Sequence, residues 1–160
     1  MSNRFLSRRS KSVAIMLVLG YWTFAFGCKH GKCETGPTSS AGTQRSHNVG
    51  ENCQSCHLPD GEGEVCWSVA GTLYDAGGSH PVTHAHALLF GSPLGQGGLQ
   101  LKLDNDDLGN IYTSEDVTFG SGLFPAVISA AGDTSFMMEP IRNGACNSCH
   151  GQSTAGITVP

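Results

Sequence analysis

Cys66-Trp67-Ser68-Val69-Ala70-Gly71-Thr72-Leu73-Tyr74 alternates at the two-residue period of a β-strand, and Asp75-Ala76-Gly77-Gly78 follows it as a turn. Working outward, Ala85, Ala87 and Leu89 fall on one face of a second strand, and His84, His86, Leu88 and Phe90 on the other. A Gly/Pro/Ser loop, Gly91 to Gly98, leads to Leu99-Gln100-Leu101-Lys102-Leu103. An acidic turn, Asp104 to Gly109, precedes a strand from Asn110 to Ser114, and Leu123 to Ala130 supplies a last strand around Pro125. Short strands punctuated by Gly and Asp predict a small β-sandwich over residues 66–134. The 22 glycines and the 14% content of charged residues favour strands and loops over long surface helices. A chain of 160 residues can hold one such domain with a real core.

Two stretches flank this middle: Cys53-Gln54-Ser55-Cys56-His57 and Cys146-Asn147-Ser148-Cys149-His150. Each is a Cys-x-x-Cys-His pentapeptide, the spacing by which c-type haem is attached covalently. Two thiols on one tight helical turn can each add to a porphyrin vinyl group, and the next histidine is then held under the iron as its proximal ligand. A single Cys-x-x-Cys also makes zinc knuckles and redox dithiols. Two copies, both followed by histidine and both behind an export signal, point to two covalent c-type haems. Cys53, Cys56, His57, Cys146, Cys149 and His150 are the cofactor-binding residues, with His57 and His150 as proximal iron ligands. Even the filling residues, Gln54-Ser55 and Asn147-Ser148, are chemically alike.

On those ten residues the chain resembles small dihaem c-type cytochromes of the bacterial envelope. The middle looks like the carboxypeptidase-regulatory or transthyretin-like β-sandwich family. That likeness rests on Val69, Gly71 and Leu73, then Pro81-Val82, Ala85 and Leu89, and on Asp107-Leu108-Gly109-Asn110-Ile111-Tyr112-Thr113. It implies architecture and no reaction, since that family mainly binds and spaces. His84 and His86 depart from it, standing where glycine and a small polar residue are more usual. The expected fold is therefore mainly β, a small sandwich flanked by two short haem-binding helical or loop segments, residues 47–65 and 135–160. If the two ends of the sandwich lie close together, both segments flank one end and their haems approach within tunnelling contact.

The sixth iron ligands are open. His47 precedes Cys53 by six residues on a Gly-containing link, and the resemblance implies a histidine before the first motif; the alternative is a solvated loop. Met137 and Met138 precede the second motif, and a thioether there would raise the potential relative to two imidazoles; the alternative is packing under the haem edge. His86, and with it His84, could face a haem from the second strand or simply be a surface residue. His80 and His30 are weaker candidates.

Residues 1–27 read as a signal peptide: Arg4, Arg8, Arg9 and Lys11 precede an apolar run from Val13 to Phe26, too short for a membrane span. Gly27-Cys28 resembles a bacterial lipobox, although Phe26 departs from it, so Cys28 is either lipidated or a plain thiol near an ordinary cleavage site. Residues 28–46, rich in Gly, Ser, Thr and Lys, read as a flexible tether. Loss of residues 1–27 removes four of the nine basic residues and none of the 13 acidic ones, which leaves five against 13, a formal −8. That balance excludes a phosphate-neutralising nucleic-acid binder. Of the cysteines outside the motifs, Cys33 and Cys66 remain for a disulfide if Cys28 is lipidated; Cys28 with Cys33 is the alternative.

The resulting expectation is an electron-transfer protein, not an enzyme, exported to the periplasm, the outer membrane or the cell surface of a bacterium. Its partners would be redox proteins, other cytochromes or copies of itself, with the membrane reached through a lipid anchor. A peroxidase-like dihaem enzyme or a haem-based ligand sensor, with one open iron, is the alternative.

Overall fold

The computed structural model describes residues 33–160, so the signal peptide, Cys28 and His30 lie outside the described residues. Eight strands form two four-stranded sheets. β1 (Val69–Tyr74) is the centre of the first. It pairs antiparallel with β4 (Asn110–Thr113), Val69 opposite Thr113 and Thr72 opposite Asn110. Its other edge takes two short parallel partners in succession. β7 (Gly144–Ala145) lies against Val69 and Ala70, and β8 (Ile157–Thr158) lies against Leu73 and Tyr74. The second sheet runs in the order β3, β2, β5, β6, from β2 (His86–Phe90), β3 (Leu99–Asp104), β5 (Phe124–Ile128) and β6 (Thr134–Phe136).

The two sheets share one core. Val69, Leu73 and Ile111 from the first pack with Leu89, Leu103 and Val127 from the second, closed by Ala85, Leu123 and Val159. The fold is thus mainly β, a small sandwich with short helical segments, and the middle strands stand close to where the alternation of apolar residues puts them. The first begins at Val69 rather than Cys66, and His84 lies in the turn before β2 with φ +59°.

β1 is buried along nearly its whole length, on both faces. Its odd positions face the core. Its even positions, Ala70 and Thr72, are covered by the segment around the first Cys-x-x-Cys-His motif: the Gly50 amide donates to Thr72 Oγ1 at 3.0 Å, and Gly50 lies against the Tyr74 hydroxyl.

The described part of the 28–46 stretch lies along the sandwich rather than hanging free. The Ser39 amide donates to the Tyr112 carbonyl at 2.8 Å, Ser39 Oγ donates to the Asp104 carbonyl at 2.7 Å, and the Gly36 amide donates to Ser114 Oγ at 2.9 Å. The short polar side chains that read as linker are the ones that satisfy the free edge of β4. A disulfide between Cys33 and Cys66, Cα–Cα 5.0 Å, ties the start of this stretch to the residues before β1.

Candidate functional site

The two pentapeptides adopt the same local structure. Cys53–Ser55 and Cys146–Ser148 are single 3-10 turns. In each, the serine hydroxyl caps the turn by donating three residues back, Ser55 to the Asn52 carbonyl at 2.7 Å and Ser148 to the Ala145 carbonyl at 2.6 Å. Backbone amides close the turn on the first cysteine's carbonyl, from Cys56 and His57 in one motif and from Cys149 and His150 in the other. The thiols are thereby carried on one turn with the imidazole just beyond it.

Both imidazoles are oriented alike. His57 Nδ1 lies 2.7 Å from the Val65 carbonyl and His150 Nδ1 lies 2.8 Å from the Ala155 carbonyl. A carbonyl accepts only, so Nδ1 carries the proton and donates, and Nε2 keeps the lone pair a metal would take. Gly63 makes the first arrangement possible, because a Cβ there would sit 2.5 Å from His57 Nδ1. Trp67 stacks beside His57, with ring centroids 5.3 Å apart, and is backed by Tyr112 at 4.9 Å.

The residue after the first cysteine anchors each turn, the first to the residues just before β1 and the second to β1 itself. Gln54, buried, donates through Nε2 to the carbonyls of Trp67 and Ser68 at 2.8 and 3.2 Å. Asn147, also buried, accepts from the Thr72 amide through Oδ1 at 3.1 Å. That bond falls in the gap between β7 and β8, where the chain leaves the sheet edge to form the second motif and β1 would otherwise lack a partner. Gly71 lets the motif approach: a Cβ there would lie 2.8 Å from Cys146 Cβ.

Each motif opens on its own cavity, and the two cavities lie on opposite faces of the β4–β1 sheet. The first, about 270 Å³, is floored by the outward side chains Asn110 and Tyr112 and holds His47, Cys53, Cys56 and His57. The second, about 500 Å³, enters between the sheets. Val69, Leu73 and Ile111 line one side, Leu103 and Val127 the other, and Cys146, Cys149 and His150 lie at the motif. The second falls within the range of about 300–1,000 Å³ usual for cofactor pockets and the first just below it. The basic side chains among the described residues are Arg45, Lys102 and Arg142, and the two arginines line one cavity each. Two thiols, an imidazole with a free Nε2, an apolar wall and one guanidinium form a donor set that fits a thioether-linked haem with its acidic side chains.

The candidate sixth ligands separate clearly. His47 lines the first cavity, its ring centroid 5.8 Å from that of His57. Met137 lines the second cavity; Met138 is 56% exposed and does not. His86 lines neither and is held by Asp104, Nδ1 to Oδ1 2.7 Å, while His80 is held by Asp75 at 3.2 Å. His84 lines neither cavity. The motifs lie side by side along β1, one at its outward face and one at its edge, and Asn147 of the second donates to the Glu51 carbonyl beside the first. The alternation of β1 places them so, and that depends on a strand register that residue spacing does not specify.

Among the described residues the four motif cysteines have no disulfide partner. Burial pushes the Cys53 thiol up, and pushes the Cys146 thiol up to about 12, with each cysteine's neighbours adding to the effect. Asp106 is fully buried; its Oδ1 accepts from the Leu108 and Asn110 amides, and its Oδ2 has no partner. Its charge bears on Cys53 and Tyr112 and so belongs to the first site's surroundings. Trp67, Arg45, Arg142 and the anchoring roles of Gln54 and Asn147 were not assigned from sequence. The likeness of the motifs' filling residues was the one available signal. No family model, curated protein or solved structure matches this chain.

Proposed function

We propose that the chain binds two covalently attached c-type haems and carries electrons between redox partners outside the cytoplasm. The observation that carries this reading is the duplication. Two separate pentapeptides, anchored in different surroundings, present the same pair of thiols and the same Nδ1-tethered imidazole to a cavity. When bound, the haem iron supplies one-electron exchange; the chain supplies attachment, orientation and a charge environment.

His57 and His150 are the proximal ligands, each held by its carbonyl. His47 would be the distal ligand of the first iron, since it lines the same cavity as His57 with its ring centroid 5.8 Å away. Met137 is the distal candidate for the second, and Arg45 and Arg142 balance the haem carboxylates. With a sixth ligand on each, the irons would have no site for substrate and would act as carriers. The sandwich acts as a spacer, and export with a lipid at Cys28 would place the protein in the bacterial envelope, facing other cytochromes or copies of itself.

The larger second cavity favours one alternative, an iron left open there to bind a small ligand as in a peroxidase or sensor, because Met137 is partly exposed. A reduced-minus-oxidised spectrum and an intact mass, on protein matured with the haem-attachment machinery, test the main reading. Two haem masses and an α-band are expected, and a colourless chain of bare polypeptide mass refutes it. Carbon monoxide added to the reduced protein decides the alternative: one equivalent bound supports the open iron, none supports the carrier.

A further inference from the structure

Asn147 does more than close its own turn. Its Nδ2 donates to the Glu51 carbonyl at 3.1 Å, two residues before Cys53 of the other motif, and to Thr72 Oγ1 at 3.2 Å. Thr72 Oγ1 also accepts from the Gly50 amide at 3.0 Å and donates to Asn110 Oδ1, and Asn110 Nδ2 donates to Ser46 Oγ at 2.8 Å, next to His47. Thr72, Asn110 and Asn147 are all buried. One connected set of side-chain bonds therefore runs from the second motif, across β1, to both ends of the 46–51 link that carries His47. The segments also approach beyond Asn147, since a Cβ on Gly151, just after His150, would lie 3.8 Å from the Gly50 carbonyl oxygen.

We infer that Asn147 is a positioning residue that fixes the two haem sites to one another, so that electrons pass between the two irons within a single chain. This rests on the dihaem reading. Gln54 holds the equivalent place in the first motif, yet it bonds only to the carbonyls of Trp67 and Ser68, beside its own site. The two amides therefore predict different outcomes. A low-dielectric interior transmits such bonded networks strongly, and a severed one leaves its buried members unpaired.

The test uses the full chain matured with haem, with Asn147→Ala, Gln54→Ala and Thr72→Val compared with the parent by potentiometric titration and electron paramagnetic resonance. Thr72→Val keeps the side chain's shape and removes the hydroxyl at the centre of the network, so it answers if Asn147→Ala does not mature. The expected result is that Asn147→Ala or Thr72→Val, with two haem masses retained, shifts the midpoint of the first iron as well as the second and weakens the magnetic interaction between them. Gln54→Ala shifts the first iron alone. A shift confined to the second iron in Asn147→Ala, with the interaction unchanged, overturns the inference and leaves the dihaem reading standing. A parent chain without haem mass overturns both.

Discussion

Gly71 is the point at which the second site can be broken without touching any proposed ligand. A methyl group there would lie 2.8 Å from Cys146 Cβ, 3.3 Å from Asn147 Oδ1 and 3.4 Å from the Ile157 methyl. The first distance is well short of the ~3.5–4.0 Å at which carbon atoms pack, so Gly71→Ala must push the Cys146 turn outward by more than half an ångström, taking the Thr72–Asn147 bond with it. Overpacking of this kind costs about 1–3 kcal/mol. Replacing glycine recovers roughly 0.5–1 kcal/mol of unfolded-state entropy. The net loss is then about 0–2.5 kcal/mol, or up to roughly 10 °C in Tm for a domain of this size. The functional effect is sharper, because the turn that carries Cys146, Cys149 and His150 is displaced from its cavity. Intact mass after maturation should show a single-haem species, its remaining haem on Cys53 and Cys56 by peptide mapping. Gly77→Ala is the control: the nearest atom to its added methyl is Asp75 Oδ1 at 3.6 Å, so haem content and Tm should hold or rise slightly. Full double loading of Gly71→Ala with an unchanged Tm would refute the reasoning.

His47→Ala should open the first iron, so that the reduced variant binds about one equivalent of carbon monoxide that the parent does not; absence of new binding removes His47 as a ligand. Met137→Leu should lower the potential or change the spectrum of the second haem, whereas Met138→Leu should leave both spectra as they are, because only Met137 lines that cavity. Haem-free chain should lose stability as pH rises. The Cys146 thiol ionises near 9 when unfolded and near about 12 when folded, so its contribution is complete below pH 9 and is lost by pH 12. Urea titrations across that range should show the fall, up to a few kcal/mol, and Cys146→Ser should flatten it. Asp106→Asn should raise the potential of the first haem, since removing a buried negative charge disfavours the ferric state; an unchanged midpoint would place Asp106 outside that site's field.

The five longer strands are legible because each is a run of four to six residues set off by Gly or Asp turns. β6, β7 and β8 are not, being two or three residues long and defined by their pairing with distant chain. Gly144 and Ala145 carry no strand signal of their own; the edge of β1 makes them a strand. The stretch before His47 misleads for the opposite reason, since Thr38 and Ser39 have linker chemistry but spend it on β4. At the site, the pentapeptides can be read directly because covalent attachment dictates their spacing. Their cavities cannot, because which face of the β4–β1 sheet each one occupies follows from register. Arg45 and Arg142 are separated by most of the chain, and only the fold assigns one to each motif.

β1 then works as a ruler. Gln54 anchors the first motif at Ser68, and Asn147 anchors the second at Thr72. Ser68 immediately precedes β1 and Thr72 lies within it, so extended chain at ~3.3 Å per residue puts these anchors at most about 13 Å apart along the chain direction. That separation cannot stretch, because β1 is paired on both edges and covered on both faces. Two haems carried on flexible loops would exchange electrons at a rate set by loop motion. Two carried on turns pinned to one buried strand keep a constant spacing whatever the loops beyond them do. The side-chain period of two also matters, since it directs Thr72 to the first site and Leu73 to the wall of the second. A one-residue slip of β1 against β4 would send the Thr72 hydroxyl into the apolar core and leave Gly50 and Asn147 without it. The same register therefore protects the core and the proposed haem pair, and no adjustment of β1 could alter one without disturbing the other.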